Sequence, residues 1–186
     1  VATVRESIGW PHAPFEVPAE IEAAWKAAGA RSHDEYAAWQ ARLSSAGDKA
    51  VFEAAMAGAL PANLSEIVAA HKKSVIEGGK DDATRKWSGA ALEALTGAIP
   101  EMIGGSADLT GSNNTKTSHT DPLSPDNWGG RYIHYGIREH AMAAAMNGMA
   151  LHGGIIPYSG TFLVFADYSR AAIRLGALMG ERVIHV

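Results

Sequence analysis

The pattern of apolar and polar positions along the chain changes near residue 80. Before that point, apolar residues repeat at helical spacing and no strand candidate occurs. After it, short apolar runs alternate with helical segments, which is typical of an α/β fold with a mostly parallel sheet and helices on both faces. The apolar runs predict parallel strands near residues 102–106, 131–135, 155–159 and 182–186.

This change divides the chain into two predicted parts. Residues 1–82 are interpreted as an all-helical connector that contains a proline-rich stretch at 10–18, and residues 83–186 as the α/β part. Within the connector, Ser32 and Glu35 have the spacing of a capping box. The final residues, "RVIHV", are typical of a core strand, so we expect the 186 residues to be a segment of a longer chain.

Composition and charge exclude several classes of function. Hydrophobic residues make up 47% of the chain, which is enough for a packed core and argues against global disorder. The 16 Lys and Arg residues nearly balance the 20 Asp and Glu residues, so there is no electrostatic basis for binding nucleic acid or an anionic membrane. The chain has no cysteine and no apolar run of membrane-spanning length. This composition fits a reducing compartment, and we expect a cytoplasmic protein.

A ligand site is expected where the predicted strands end. In parallel sheets with flanking helices, ligands bind beyond the carboxyl ends of the strands. Glu139 should begin a helix at that edge, beside an Asp-bearing glycine loop and a Phe-rich turn. Local sequence alone leaves simpler interpretations open. Glu139 could be a helix-start carboxylate, and Gly104-Gly105 could be only a tight turn. The aromatic residues of the third segment could be core. The segments are "GGSADLTGSNN", "GIREH" and "SGTFLVF".

Several other kinds of site are disfavoured by the motifs present. No Gly-Lys-Ser/Thr follows the glycine pair, and no G-x-G-x-x-G occurs, so a phosphate-binding loop of either type is not indicated. His134, His140 and His152 lack the spacing of a zinc motif and are interpreted as interior or site-lining residues. No strand–Ser–helix elbow is present, which argues against a hydrolase triad.

A set of motifs in fixed order resembles the transketolase family. Among relatives of the same fold, "YGIREHAM" separates the chain from the pyruvate dehydrogenase β chain and from deoxyxylulose-phosphate synthase. The resemblance runs through nearly the whole chain. The motifs are "GWPHAPFEVP", "ATRK", "GGSADLTGSN", "RYIHYGIREHAM", "NGMALHGG" and "SGTFLVFADY".

The resemblance implies a thiamine-diphosphate-binding fold of the pyrimidine-domain type. Residues 1–82 would follow the diphosphate-binding domain, and residues 83–186 would form the first part of the pyrimidine-binding domain. The implied reaction moves a two-carbon ketol unit from a ketose phosphate to an aldose phosphate, as in the pentose phosphate pathway and the Calvin cycle. Thiamine diphosphate would be the cofactor, with Mg or Ca bound by residues outside this chain. A homodimer would form through the helix at 140–151.

The resemblance also assigns roles to individual residues. Glu139 would be catalytic, by hydrogen bonding to a pyrimidine ring nitrogen of the cofactor. Arg85 and Ser112 would grip the sugar phosphate, although a solvated arginine and a plain loop serine are the simpler interpretations. Gly111 replaces a proline found in many relatives, which would loosen that loop. The residues expected to bind the cofactor are Asp108, Leu109, Phe162, Phe165 and Tyr168.

Two alternatives remain open at this stage. One is a related ketol-transferring enzyme such as dihydroxyacetone synthase, because the residues that distinguish the two would lie mostly outside this chain. The other is that the 186-residue piece is inactive alone and only associates with other chains.

Overall fold

The structure, a computed structural model, describes all 186 residues, which form two compact units at 1–49 and 50–186. The first unit contains helices α1 (Ala2–Ser7), α2 (Ala19–Ala30) and α3 (His33–Ser45), none of which buries a side chain. As predicted, residues 10–18 form neither helix nor strand.

The predicted capping box at the start of α3 is wrong. Ser32 is the N-cap residue, but its side chain makes no capping hydrogen bond. A capping serine needs an extended backbone, whereas Ser32 has φ −105° and ψ 8°. The preceding Arg31 is also helical in conformation, so the short link from α2 never opens into the geometry that capping requires.

Between the boundary of the two units and residue 100, all regular elements are helices joined by short connections, and no strand occurs, as predicted. They are α4 (Lys49–Met56), α5 (Leu64–Gly78) and α6 (Thr84–Ala98). Gly79 ends α5 in the left-handed conformation, with φ 55°, which glycine adopts at little cost. Helix α5 packs against α6. These two helices lie on either side of residue 82, so their packing does not mark a domain boundary there. The boundary at residue 82 stays a prediction from the sequence.

Four parallel strands form one sheet in the order β2-β1-β3-β4, which confirms the predicted mostly parallel α/β fold. Gly104 of β1 pairs with Tyr132 of β2, Met102 pairs with Ile156 of β3, and Tyr158 pairs with Ile184 of β4. Because all strands run the same way, their carboxyl ends share one edge. The strands are β1 (Met102–Ser106), β2 (Tyr132–His134), β3 (Ile156–Ser159) and β4 (Ile184–His185).

Helices cover both faces of this sheet. One apolar cluster joins α6 to the sheet and includes Leu92, Met102 and Tyr158. A second cluster contains Met142 and Met146. These two methionines belong to α8 (Glu139–His152), which packs against β3 and against α9 (Ala166–Met179). None of the helices is both long enough and apolar enough to cross a lipid bilayer.

The polar segment at 109–130 contains a short helix and is partly buried. Helix α7 (Thr110–Asn113) begins where the Leu109 carbonyl accepts hydrogen bonds from the amides of Ser112 and Asn113. The Arg131 guanidinium holds the far end of the segment by donating to five carbonyl oxygens. These belong to Thr96, Ile99, Pro100, Met102 and His119.

The glycine pair of β1 does not form a tight turn. Gly104 and Gly105 lie inside the strand, where a Cβ on Gly104 would collide with the Tyr158 ring and a Cβ on Gly105 with the Tyr135 ring. Successive Cβ positions in a strand point to opposite faces. The two glycines therefore leave room for one tyrosine ring on each face of the sheet.

We expect Gly104→Ala to lower the free energy of unfolding by about 1–3 kcal/mol, because overpacking a filled core forces side chains and backbone apart. Urea unfolding measures this change. Gly111→Ala is the matched control, since a Cβ there meets nothing within 4 Å. Equal stabilities for the two variants would show that Tyr158 can move away from β1 without cost.

Candidate functional site

A cleft of about 750 Å³ opens at the carboxyl edge of the sheet, within the size range of small-molecule sites. Three segments line it: the turn after β1, the start of α8 and the start of α9. The predicted ligand edge therefore does carry a cavity. Its lining residues are Ala107, Asp108, Leu109, Ile137, Arg138, Glu139, His140, Ala141, Phe165 and Tyr168.

Glu139 is the first residue of α8 and is only 8% exposed, although it lines the cleft. Its carboxylate makes no hydrogen bond and no salt bridge within the chain. A helix-start carboxylate would be expected to bind free backbone N–H groups, so the simple capping interpretation has no hydrogen bond to support it. The residue is largely buried, but its carboxylate oxygens reach the surface of the cleft, where the chain gives them no hydrogen-bond donor. The arrangement therefore favours a ligand that supplies the missing donor.

The turn after β1 brings Asp108 and Leu109 to the opposite wall of the cleft. Asp108 has φ 59°, a left-handed conformation that aspartate tolerates better than most residues. Its side chain is exposed, and the next backbone amide, that of Leu109, donates to the Ser106 hydroxyl at 3.1 Å. Both predicted residues are thus at the cleft, one as an acid and one as an apolar wall.

The three predicted aromatic residues are not all in the same cavity. Phe165 and Tyr168 line the cleft, with ring centroids 6.4 Å apart. Phe162 stacks on Phe165 at 6.2 Å but lines a neighbouring cavity of about 170 Å³. The interpretation of these residues as core is wrong for Phe162 and Tyr168, which are 43% and 70% exposed. The cofactor-binding role of all three remains a prediction.

Arg85 and Ser112 do not line the cleft, and both are exposed. Arg85 lies in the first turn of α6, one helical turn before Gly89 and therefore on the same face. Gly89 lies close to Asn114, directly after the helix that carries Ser112. Neither side chain makes a hydrogen bond within the chain. The two groups lie on adjoining elements, as a shared role requires.

The histidines named from the sequence are all exposed, so the interior interpretation is wrong. His140 lines the cleft, while His134 lies in an edge strand with its ring 5.1 Å from that of Tyr132. Arg138 and Ile137 also line the cleft and were not predicted. Their position next to Glu139 in "GIREH" was the available signal.

Electrostatically, the cleft combines two acids with two basic side chains on a mostly apolar wall. The Arg138 guanidinium donates to the Tyr135 carbonyl oxygen at 2.8 Å instead of pairing with Glu139. Burial raises the pKa of Tyr135, whose ring packs beneath the edge, so its phenol stays protonated at neutral pH. Because Arg138 is engaged with a backbone carbonyl, the carboxylate of Glu139 is left available to a ligand.

Comparison with known protein families accounts for both halves of the chain. The transketolase pyrimidine-binding domain matches residues 80–186, and the transketolase thiamine diphosphate-binding domain matches residues 1–62. The chain belongs to the transketolase family. The domain that matches residues 1–62 is named for thiamine diphosphate, which supports the cofactor implied by the motifs.

Individual relatives cover the whole chain. A transketolase of Sinorhizobium medicae is 53% identical over all 186 residues, and one of Rhodobacter capsulatus is 52% identical over 188 aligned positions. The chain spans only 27% and 28% of the length of these two relatives. It therefore corresponds to about a quarter of a transketolase.

Solved structures agree with this assignment. Transketolase from Leishmania mexicana superimposes with a TM-score of 0.81 at 35% identity, covering 99% of this chain and 28% of that one. Transketolase from Pichia stipitis in complex with sedoheptulose-7-phosphate gives a TM-score of 0.73 at 35% identity, covering 92% of this chain and 26% of that one.

The unpaired carboxylate in the cleft leads to a prediction about stability. Glu139→Gln should raise the free energy of unfolding of the ligand-free protein by about 1 kcal/mol, because it removes a charge that is partly withdrawn from water and has no partner within the chain. Thermal unfolding without ligand measures the change. Glu66→Gln is the matched control, since Glu66 is an exposed acid in the first turn of α5 and should show the small opposite effect of a helix-start charge. Destabilisation by both substitutions would restore the capping interpretation of Glu139.

Proposed function

We propose that the intact protein transfers a two-carbon ketol unit from a ketose phosphate to an aldose phosphate with the help of thiamine diphosphate. The observation that carries this proposal is the buried, unpartnered carboxylate of Glu139 in a cleft at the carboxyl edge of the sheet. Membership of the transketolase family supports the same reaction.

The residues of the cleft fit the aminopyrimidine end of thiamine diphosphate. That ring is flat, aromatic and rich in nitrogen, and the cleft offers aromatic side chains, a mostly apolar wall and one unsatisfied carboxylate. Phe165 and Tyr168 would pack on the ring, and Leu109 would close the opposite side. Glu139 would bind a ring nitrogen and thereby gain the partner that it lacks within the chain.

Glu139 is the residue to which the proposal gives the chemical role. Its carboxyl group would hold a proton against the ring nitrogen, which would make the amino group on the far side of the ring easier to deprotonate, so that its nitrogen could then act as a base. When bound, thiamine diphosphate supplies the acidic thiazolium carbon that adds to a carbonyl and stabilises the negative charge left by carbon–carbon cleavage. The apolar wall excludes water from the carboxyl group, so the proton stays between it and the ring.

The sugar phosphate would be held outside the aromatic part of the cleft. Arg85 and Ser112 are exposed, make no hydrogen bond within the chain and lie on adjoining elements. A guanidinium and a hydroxyl suit a phosphate group. The ligands of a Mg or Ca ion and of the diphosphate are still expected outside these 186 residues.

A homodimer through α8 is also part of the proposal. Its Met142 and Met146 face the domain interior, while the opposite face carries small exposed residues and Leu151, which is 58% exposed. Small side chains let two helices approach closely, and an exposed apolar patch is typical of an interface. The small residues of this face are Ala141, Ala144, Ala145 and Gly148.

Alternatives within the same chemistry differ in the aldehyde that accepts the two-carbon unit. A dihydroxyacetone synthase would share every feature of the cleft, but no relative described above carries that name. The alternative that the 186-residue piece is inactive and only associates with other chains concerns this piece by itself, not the intact protein. A cytoplasmic location and a place in the pentose phosphate pathway or the Calvin cycle remain expectations.

The proposed role of Glu139 is tested by exchange at the thiazolium carbon. In the intact protein with thiamine diphosphate and Mg²⁺, Glu139→Gln should slow hydrogen–deuterium exchange at that carbon about 10²–10⁴-fold, as loss of a general acid–base group does. Quenched-flow NMR measures the exchange directly. Cofactor affinity should change far less, because the aromatic contacts survive.

Arg85→Ala serves as the control for this experiment. It should raise the KM for phosphorylated ketoses while leaving the exchange rate at the thiazolium carbon unchanged. Near-normal exchange in Glu139→Gln, with loss only of sugar affinity, would remove Glu139 from the activation step.

The proposed interface is tested by placing a charge on the exposed face of α8. Ala145→Glu should weaken dimerisation of the intact protein by more than about 100-fold, because an unpaired charge would be buried at the contact. Analytical ultracentrifugation measures the dissociation constant. Ala38→Glu, on the exposed surface of α3, is the control. An unchanged dimer in Ala145→Glu would move the interface away from α8.

A further inference from the structure

We propose that Ser106 is a positioning residue whose hydroxyl holds together three segments at the carboxyl edge of the sheet: the turn after β1, helix α7 and the turn after β3. Nothing in the family resemblance assigned Ser106 a role. The inference deepens the proposed function and rests on it, because it concerns how the cofactor cleft keeps its shape. It follows from a chain of buried hydrogen bonds at the carboxyl end of β1.

The Ser106 hydroxyl uses its whole hydrogen-bonding capacity. Ser106 is the last residue of β1 and is 0% exposed. Its Oγ donates to the Gly160 carbonyl oxygen at 3.2 Å and accepts from the Leu109 amide at 3.1 Å and from Asn113 Nδ2 at 2.9 Å. A serine hydroxyl has one donor and two acceptor lone pairs. All three are occupied, and each by a different segment.

Each partner of Ser106 stands next to a residue of the candidate site. Leu109 lines the cleft itself, together with Asp108. Asn113 follows Ser112 in α7, and Gly160 precedes the turn that leads to Phe165. One buried hydroxyl therefore fixes the distance between the acidic turn, the predicted phosphate-binding helix and the aromatic turn.

A second layer of bonds anchors this arrangement to the neighbouring strands. Asn113 Oδ1 accepts from the Thr115 hydroxyl at 2.8 Å, and that hydroxyl lies 2.7 Å from Tyr132 Oη of β2. Tyr158 Oη of β3 donates to the Thr115 carbonyl oxygen at 2.9 Å. Burial raises the pKa of Tyr158 to about 12, so this donor keeps its proton throughout the neutral range.

The backbone that these bonds hold is not one that the chain adopts freely. Asp108 has φ 59° and Asn114 has φ 55°, so a left-handed residue stands on each side of α7. Such conformations persist where the surrounding structure determines them. Loss of the Ser106 hydroxyl would remove the contact nearest to Asp108, and the turn would relax away from the cleft.

The test compares this hydroxyl with another buried hydroxyl that is not bonded to the site segments. Ser106→Ala removes the hydroxyl that makes all three bonds. Asn113→Ala removes one of the donors to that hydroxyl and replaces Ser106→Ala in the test if the latter does not fold. Thr96→Val is the control. Thr96 is 1% exposed and bonds to the Leu92 carbonyl and to the Thr117 hydroxyl, both at 2.8 Å.

Two quantities are measured on the intact protein: the Kd for thiamine diphosphate at saturating Mg²⁺, and amide hydrogen exchange without cofactor. Asn113→Ala should raise the Kd about tenfold, the effect of one lost hydrogen bond on a preorganised site, and Ser106→Ala should raise it at least as much, because it removes three. Amides at 107–113 should exchange faster in both. Thr96→Val should leave the Kd within about twofold and the amides at 107–113 protected, even if it lowers the Tm as much as Ser106→Ala does.

The outcomes separate this inference from the proposed function. If Thr96→Val raises the Kd as much as Ser106→Ala at the same loss of Tm, Ser106 is only a stabilising residue and the inference is wrong. Unchanged protection at 107–113 in both site variants would overturn it as well. If the unsubstituted protein does not bind thiamine diphosphate, the proposed function fails, while amide exchange still decides whether Ser106 holds the three segments.

Discussion

The packing of two tyrosine rings against the bare backbone of β1 is the constraint on which the rest of the domain depends. Tyr158 lies against Gly104 on one face of the sheet, and Tyr135 lies against Gly105 on the other. A side chain at either glycine would occupy the space of a ring, and a close-packed interior has no room to spare. Because the rings reach β1 from β3 and from the end of β2, they bring together the strand ends that lead into the cleft.

Burying Tyr158 also explains why a polar segment belongs to the interior. A buried phenol needs a hydrogen-bond partner, and Tyr158 finds the Thr115 carbonyl. The segment after α7 is therefore held on the sheet, where its threonines satisfy one another instead of meeting water. Thr117 and Thr120 lie 3.1 Å apart through their hydroxyls and are 4% and 0% exposed.

The cleft combines this rigid support with one group that the fold leaves unsatisfied. Glu139 is buried at the start of α8, and the nearby Arg138 is engaged with a backbone carbonyl. Proteins retain such a cost at sites where a ligand supplies the missing partner. The chain belongs to the transketolase family and spans about 27% of a relative's length, and the function proposed for it rests on this carboxylate.

Features that depend on local periodicity were determined by the sequence alone. The strand positions, their parallel arrangement and the place of Glu139 at the ligand edge followed from alternating apolar runs and helical spacing. Tertiary structure decided the rest. Phe162 and Phe165 are three residues apart, yet only Phe165 lines the cleft. The Ser32 cap did not form, the glycine pair became part of a strand, and Ser106 became a hub. For the aromatic residues, the glycine pair and Ser106, the outcome depends on which distant backbone or ring lies opposite the residue, and that information is absent from the neighbouring sequence. For Ser32 it depends on the backbone angles of the short link between two helices.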